Sequence, residues 1–290
     1  MYKIVKKEVL APVIKLFEIE APLVAKKARA GQFVILRIKE GGERIPLTIA
    51  DFDRDRGTVT CVFQEVGKTT AELGALGEGE YISDFAGPLG MPSHIEKYGV
   101  VACVGGGVGV APVFPIAREL KRAQNEVIGI IGARSRELLF WEDKMREVCR
   151  ELWVVTDDGS YGRRGLVTDV LEEVILEKKG LDLCVAIGPL PMMRAAAGLT
   201  RKYGVRTVVS LNPLMVDGTG MCGCCRVTVG GETKFVCVDG PEFDAHQVDF
   251  DEMGRRAVIY RDQEKLALEK YLRERELQGC RFRGEKNDRR

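Results

Sequence analysis

Histidine is nearly absent: His94 and His246 are the only two in 290 residues, so no histidine-centred acid–base pair is evident and no side chain is assigned a catalytic role. Neither sign of charge dominates either. With 44 Lys and Arg against 43 Asp and Glu, and no long one-sign run in the body of the chain, there is no electrostatic footprint for nucleic acid or an anionic membrane. No stretch approaches the roughly 18 uninterrupted apolar residues of a spanning helix, and the opening MYKIVKKEVLAPVIKLFEIEAP lacks the apolar core of a signal peptide. A soluble, cytoplasmic protein is expected. Amides are also scarce, three Asn and six Gln beside 30% charged residues; that balance leans toward a heat-tolerant chain, while nine Cys and eight Met lean the other way.

What is present is length, rhythm and cysteine. The chain is long enough for two or three compact domains. Residues 1 to about 90 read as short strands separated by Gly and charged turns (VIKLFEIE, GQFVILRI, IPLTIADF, GTVTCVFQEV, GEYISDFAGP), with no convincing helix, the signature of an antiparallel barrel or sandwich. From Tyr98 to Pro213 apolar strands alternate with helices expected near residues 113–124, 136–148, 166–177 and 192–203. Five β-runs interleaved with four helices make a doubly wound parallel sheet, which binds nucleotides at the carboxyl ends of its strands. A hairpin is expected in CRVTVGGETKFVC, turning at Gly230-Gly231, and a charged helix over about 261–277 precedes the polar tail RFRGEKNDRR. The resulting division is a barrel over 1–95, a nucleotide-binding α/β domain over 96–213, a metal-binding segment over 214–255, and a charged helix and tail over 256–290.

Five cysteines (Cys61, Cys103, Cys149, Cys184 and Cys280) are scattered; Cys61, Cys103 and Cys184 lie in apolar runs and read as small buried hydrophobes. The other four crowd into sixteen residues. Asp217, Cys222, Cys225 and Cys237 reproduce the plant-type [2Fe-2S] spacing, C-x4-C-x2-C and a distant fourth Cys, with Asp in the first place. Gly218, Gly220 and Gly223 suit a loop that must bring backbone amides close to sulfur. Cys224 lies between two ligands and is expected to point away. A zinc ion on the Cys-x2-Cys pair, one more Cys and an oxygen ligand is chemically acceptable, and Asp217 before Gly218 also fits a plain turn.

In GVVACVGGGVGVAPVFPIAREL a glycine cluster follows a strand and opens a helix, so the amides of Gly105, Gly106, Gly107 and Gly109 can approach a pyrophosphate. Three further strand ends join the same pocket: GARSRE; TDDGSYGRRG with Thr156, Asp157 and Asp158; and IGPLPMM with Gly188, Pro189 and Met192. The order of these segments over residues 1 to about 255 resembles the ferredoxin-NADP reductase superfamily, and within it two related electron-transfer subunits. One is the small subunit of NADH-dependent ferredoxin:NADP oxidoreductase, the electron-bifurcating Nfn type also called sulfide dehydrogenase. The other is the electron-transfer subunit of dihydroorotate dehydrogenase.

The resemblance implies a flavin site on RIPLTIAD and EVGKTT. Arg44 and Lys68 would neutralise phosphate, Pro46, Leu47 and Thr48 would flank the isoalloxazine, and Gly67, Thr69 and Thr70 would sit near the pyrophosphate. It implies FAD, a [2Fe-2S] cluster and NAD(H) as cofactors. It also implies a heterodimer with a larger flavin and [4Fe-4S] subunit that carries bifurcation and handles NADP and ferredoxin. The dihydroorotate dehydrogenase subunit is expected to use Cys for all four cluster ligands and the Nfn subunit to use Asp first, so Asp217 points to Nfn. Many superfamily members have Cys before the Gly-Pro pair, where this chain has Ile187; no thiol role at the nicotinamide follows. Arg134, Ser135 and Arg136 suit either a 2′-phosphate or an ordinary helix start, and NADH is favoured by the resemblance alone. The rival outside electron transfer is a zinc-stabilised, nucleotide-sensing adaptor.

Overall fold

The computed structural model describes residues 1–177 and 180–287, with side chains to residue 277; residues 288–290 of the polar tail and the Cys280 side chain lie outside the described set. The first seven strands are β1 (Tyr2–Ala11), β2 (Ile14–Glu20), β3 (Phe33–Arg37), β4 (Arg44–Asp53), β5 (Thr58–Gln64), β6 (Tyr81–Ile82) and β7 (Asp84–Leu89). They form one antiparallel sheet in the order β6-β1-β2-β5-β4-β3-β7. Its edge strands β6 and β7 are consecutive in the chain, so the sheet curls into a nearly closed barrel. Alternation along β2 and β5 turns Phe17 and Phe63 inward, where their rings meet edge-on at 5.1 Å among Ile4, Ile19, Val34, Leu36 and Ile49.

Two helices, not expected in this half, complete it. α1 (Pro22–Lys27) starts with Pro at its first turn and buries Val24 and Ala25. α2 (Lys68–Ala75) is capped by Gly67 and buries Leu73. Both are too short to leave an apolar period in the sequence; their starts are fixed by local chemistry, a pre-set Pro φ and the Thr70 hydroxyl accepting from Gly67 N at 3.0 Å.

The second sheet is β8 (Val100–Gly106), β9 (Glu126–Ala133), β10 (Glu151–Thr156), β11 (Arg163–Arg164), β12 (Leu181–Ile187) and β13 (Thr207–Ser210), all parallel where paired. Its order is β11-β10-β9-β8-β12-β13, closed at the edge by an antiparallel strand discussed below. Helices α3 (Val110–Arg122) and α4 (Glu142–Val148) cover the face carrying Val101, Cys103, Val127, Ile131 and Val185. On the other face α5 (Val167–Glu177) and α6 (Leu190–Lys202) pack on Ala102, Val104, Ile128, Ile130 and Ala186. Near-continuous apolar strands are what a sheet buried on both faces requires. The helix expected over 136–148 is broken: a 3-10 turn spans Arg136–Leu138 and α4 starts at Glu142. Trp141 adopts φ +58°, its ring held edge-on to Phe114 at 5.5 Å and beneath Lys144 Nζ at 4.1 Å. Cys61, Cys103 and Cys184 are buried as expected, and desolvation pushes the Cys61 and Cys184 thiols up to about 12.

The remaining chain is a hairpin of β14 (Arg226–Val229) and β15 (Glu232–Phe235), the short α7 (Val236–Asp239), β16 (Glu242–Asp244), α8 (Phe250–Ala257) and α9 (Arg261–Asn287). β16 is the antiparallel edge of the second sheet, pairing Ser210 with Glu242. The cysteine segment is thereby stitched to the α/β half. It is tied to the barrel as well, by Met91 N donating to Gly240 O at 2.6 Å and by the Ser93 hydroxyl on Glu242. α9 lies along α2. Among the described residues no helix is long and apolar enough to cross a membrane.

Candidate functional site

Barrel and parallel sheet meet around a cavity of about 880 Å³. The barrel contributes Pro46, Leu47 and Thr48 from β4 and Val62, Phe63 and Gln64 from β5. Opposite them stand the carboxyl ends of the parallel strands: Gly106, Gly107 and Gly109 after β8, Arg134 after β9, Asp157 after β10, and Gly188 and Pro189 after β12. This is where an open α/β sheet presents its loops to ligands.

The glycines around β8 are required for different reasons. A Cβ at Gly109 would lie 2.2 Å from the Ile187 carbonyl oxygen, and one at Gly105 2.9 Å from Val110 Cα; these two permit close packing of strand against helix. Cβ atoms at Gly106 and Gly188 would strike the Met192 thioether, 2.4 Å from Sδ and 2.9 Å from Cε. Gly107 alone has φ +55° and nothing within 4 Å of a Cβ. It leaves a cradle on the cavity wall that a side chain would fill, with the α3 N-terminus behind it, as a pyrophosphate needs.

Of the residues expected to hold cofactors, Pro46, Leu47, Thr48, Thr70, Gly106, Gly107, Gly109, Asp157, Gly188, Pro189 and Met192 line the cavity. The others do not. Gly105 lies beneath the loop, and Thr156 is fully buried, its hydroxyl donating to Tyr161 O at 2.7 Å and accepting from Tyr161 N at 3.1 Å. Asp158 accepts from Ser160 N at 2.9 Å, and hydrogen bonds from Ser160, hydroxyl first, hold its carboxyl below the usual range. Thr69 is buried and donates to Glu43. Lys68 lies between Glu43 at 3.9 Å and Glu72 at 4.0 Å, while Gly67 caps α2. Arg44 is exposed at the start of β4.

Wall residues not foreseen are Val62, Phe63 and Gln64 on β5, Ser210, Leu211 and Asn212 after β13, and Met215 and Pro241. The strand-end rule that flagged the other loops also covers SLNP at the end of β13. Nothing in β5 marks it locally, since its place beside β4 is a matter of sheet order.

Two residues beyond Met215 the cysteine loop begins. Gly218, Gly220 and Gly223 all take left-handed φ, +81°, +88° and +66°, which lets the chain wind tightly with amides pointing inward. The nearby backbone amides of Cys224 and Asp217 favour the Cys222 thiolate and hold that thiol below its ordinary range. Cys225 Sγ accepts from Cys237 N at 3.4 Å. Burial, with the Cys225 thiol beside it, pushes Cys237 up to about 12. Amides aimed at sulfur suit thiolate ligands of a cluster.

Asp217 is oriented by Thr219, whose amide donates at 3.0 Å and whose hydroxyl also donates; these bonds keep its carboxyl low. Cys224 is half-buried, and burial, with the Cys222 thiol beside it, pushes its own thiol up. Among the described residues no three His, Cys, Asp or Glu side chains converge on a single-ion site; a two-iron cluster takes its ligands on separate irons. A Cβ at Gly218 would meet Ile35 and Leu89 at 2.7 and 3.0 Å, so the loop rests directly on the barrel.

Residues 103–198 match the oxidoreductase NAD-binding domain, and residues 212–249 match the iron-sulfur cluster binding domain of dihydroorotate dehydrogenase B. That second match favours a cluster over the lone zinc ion. The chain is 50% identical over 271 residues, 93% of its length and 95% of the relative's, to a dihydroorotate dehydrogenase B (NAD(+)) electron transfer subunit homolog of Thermotoga maritima. It is 36% identical to the electron transfer subunit of dihydroorotate dehydrogenase B of Bacillus caldolyticus, over 78% of this chain and 89% of that one. Among solved structures, one from work on flavin-based electron bifurcation by the NADH-dependent reduced ferredoxin-NADP oxidoreductase superposes with a TM-score of 0.89 at 48% identity, covering 94% of this chain and 98% of that chain. Phthalate dioxygenase reductase, at 16% identity and a TM-score of 0.59, shares the fold.

Proposed function

The chain belongs to the family of NAD-dependent flavin and iron-sulfur electron-transfer subunits found in dihydroorotate dehydrogenase B and in the NADH-dependent reduced ferredoxin-NADP oxidoreductase, and from that premise we propose that it serves the bifurcating oxidoreductase. It is an NAD(H)-dependent oxidoreductase subunit whose cofactors are FAD, a [2Fe-2S] cluster and NAD(H). Nicotinamide moves two electrons, an iron-sulfur cluster one, and flavin either number, which is why the three occur together.

The chain's part in this is binding and orientation. The Gly107 cradle receives the dinucleotide pyrophosphate. Pro46, Leu47 and Thr48 bound the flavin on the barrel side, and Pro189 and Met192 close the nicotinamide side. Asp217, Cys222, Cys225 and Cys237 hold the cluster, with Met215 on the cavity wall two residues before its first ligand. Electrons leave through the cluster to a larger flavin and [4Fe-4S] subunit, which handles NADP and ferredoxin. The observation that supports this partner most strongly is the pairing of 48% identity with 98% coverage of the bifurcating-enzyme chain, together with Asp in the first ligand position.

A second reading, a dihydroorotate dehydrogenase partner, is supported by the names of the curated relatives. Purification of the tagged chain from its own cells, with identification of the associated subunit, separates the two. A large flavin and [4Fe-4S] protein is expected; a dihydroorotate dehydrogenase chain would overturn the bifurcating assignment and leave electron transfer standing.

A further inference from the structure

A charged contact outside the cavity joins its two walls. Asp51, near the end of β4, accepts from Arg118 Nη1 at 2.7 Å, with the side chains 24% and 20% exposed. Strict alternation would put Asp51 on the same barrel face as Ile49, which is fully buried in the barrel core. The pairing shifts there: Ile49 faces Cys61 while Asp51 faces Thr60, so Ala50 is an extra residue and Asp51 changes face. Such bulges re-aim side chains beside functional sites.

On the other side, Arg118 follows Ala111 by seven residues along α3, two turns or about 10 Å on the same helix face, and Ala111 lines the cavity. The guanidinium is clamped between Phe52 of the barrel at 5.9 Å and Phe114 of α3 at 5.3 Å. Its Nε is buried without a hydrogen bond, 3.5 Å from Glu119 Oε1. A planar guanidinium clamped in this way fixes direction as well as distance.

We propose that Asp51 and Arg118 form a positioning latch, which sets the distance and angle between the flavin strand β4 and the nicotinamide loop that opens α3. It rests on the family's hydride-transfer reading, and neither residue lines the cavity. Misplacement by about 1 Å at such a centre costs up to about 100-fold in rate, so the latch acts on the rate and leaves affinity alone.

The test uses flavin-loaded protein and the variants Asp51→Asn, Arg118→Gln, the double variant and the conservative Arg118→Lys. Flavin bleaching at saturating NADH should slow by about tenfold in each charge-removing single variant, with the NADH dissociation constant and flavin content within about twofold of wild type. The double variant should be no slower than the singles, and Arg118→Lys should recover part of the rate. Amide hydrogen exchange, read independently of activity, should rise together in residues 49–53 and in the second half of α3, and stay unchanged in β1 and β2.

Saturating rates within about twofold of wild type, losses that multiply in the double variant, or a loss confined to NADH affinity would each overturn the latch. If a charge-removing single variant fails to hold flavin, Arg118→Lys and its exchange pattern decide: wild-type rate and exchange there overturn the proposal, and slowing with paired exchange supports it. Wild-type protein that NADH does not bleach would instead sink the functional reading, leaving the exchange result to judge the latch by itself.

Discussion

The cavity and the cysteine loop are built on opposite principles. The cavity exists because two sheets and several helices pack around it; its walls come from β4, β5 and five parallel strand ends, and its glycines are set by contacts with distant segments, such as Gly109 against Ile187. The loop is local. Its turns are left-handed glycines, its recorded amide-to-sulfur bond, Cys237 N to Cys225 Sγ, stays within the segment, and its first cysteine is exposed. Packing of the first kind is part of the fold whether or not a ligand binds. Order of the second kind is coupled to the metal. Substitutions should therefore separate cleanly, and where they fail to do so the comparison breaks.

The largest effect is expected at the sulfurs. Cys225→Ser or Cys237→Ser should abolish the cluster, exceeding the roughly 10–100-fold losses of affinity typical of changes outside the ligand shell, yet leave flavin content and flavin reduction by NADH intact. Iron analysis beside flavin absorbance reads both; joint loss of flavin would mean loop and cavity are one unit. Next in size is Gly109→Val, which drives a side chain into the Ile187 backbone and should cost about 2–3 kcal/mol of stability, seen as a lower unfolding midpoint. An unchanged midpoint would show that the loop yields easily and that the cavity is less rigid than described.

Gly107→Val meets open space but places a β-branched residue at φ +55°, so a loss of about 1–2 kcal/mol of stability should accompany its main effect, which is through the cradle. An about tenfold rise in the Michaelis constant for NADH is expected from some 1.4 kcal/mol of lost contact and backbone strain. A normal constant would remove the loop from the cofactor site. Asp217→Cys should keep a cluster with an altered paramagnetic resonance signal, because sulfur replaces a hard oxygen; an identical signal would make Asp217 a turn residue. Smallest of all, Cys224→Ser should keep iron near wild type and shift stability by under about 0.5 kcal/mol, and loss of iron there would mean the wrong sulfur was chosen.

The same contrast explains what could be read from the sequence. Ligand spacing is local, so Asp217, Cys222, Cys225 and Cys237 stand out in a single line of text, as does the glycine loop between β8 and α3. The parallel sheet was legible through its apolar runs. Phe63 and Gln64 were not, because membership of the cavity wall depends on β5 lying beside β4. Helices α1 and α2 were missed for want of length, and the break at Trp141 follows from a ring packing on Phe114 that no periodicity encodes. The extra residue at Ala50 is likewise invisible until Cys61 and Thr60 are seen opposite it.

The central claim is that electrons pass within this one chain between nicotinamide, flavin and cluster. Anaerobic addition of NADH to the purified chain, followed by freezing for electron paramagnetic resonance, tests it most directly. The account predicts a bleached flavin band together with the signal of a reduced [2Fe-2S] centre, lost in Cys225→Ser. A flavin that bleaches in wild-type protein while a fully assembled cluster stays oxidised would contradict it.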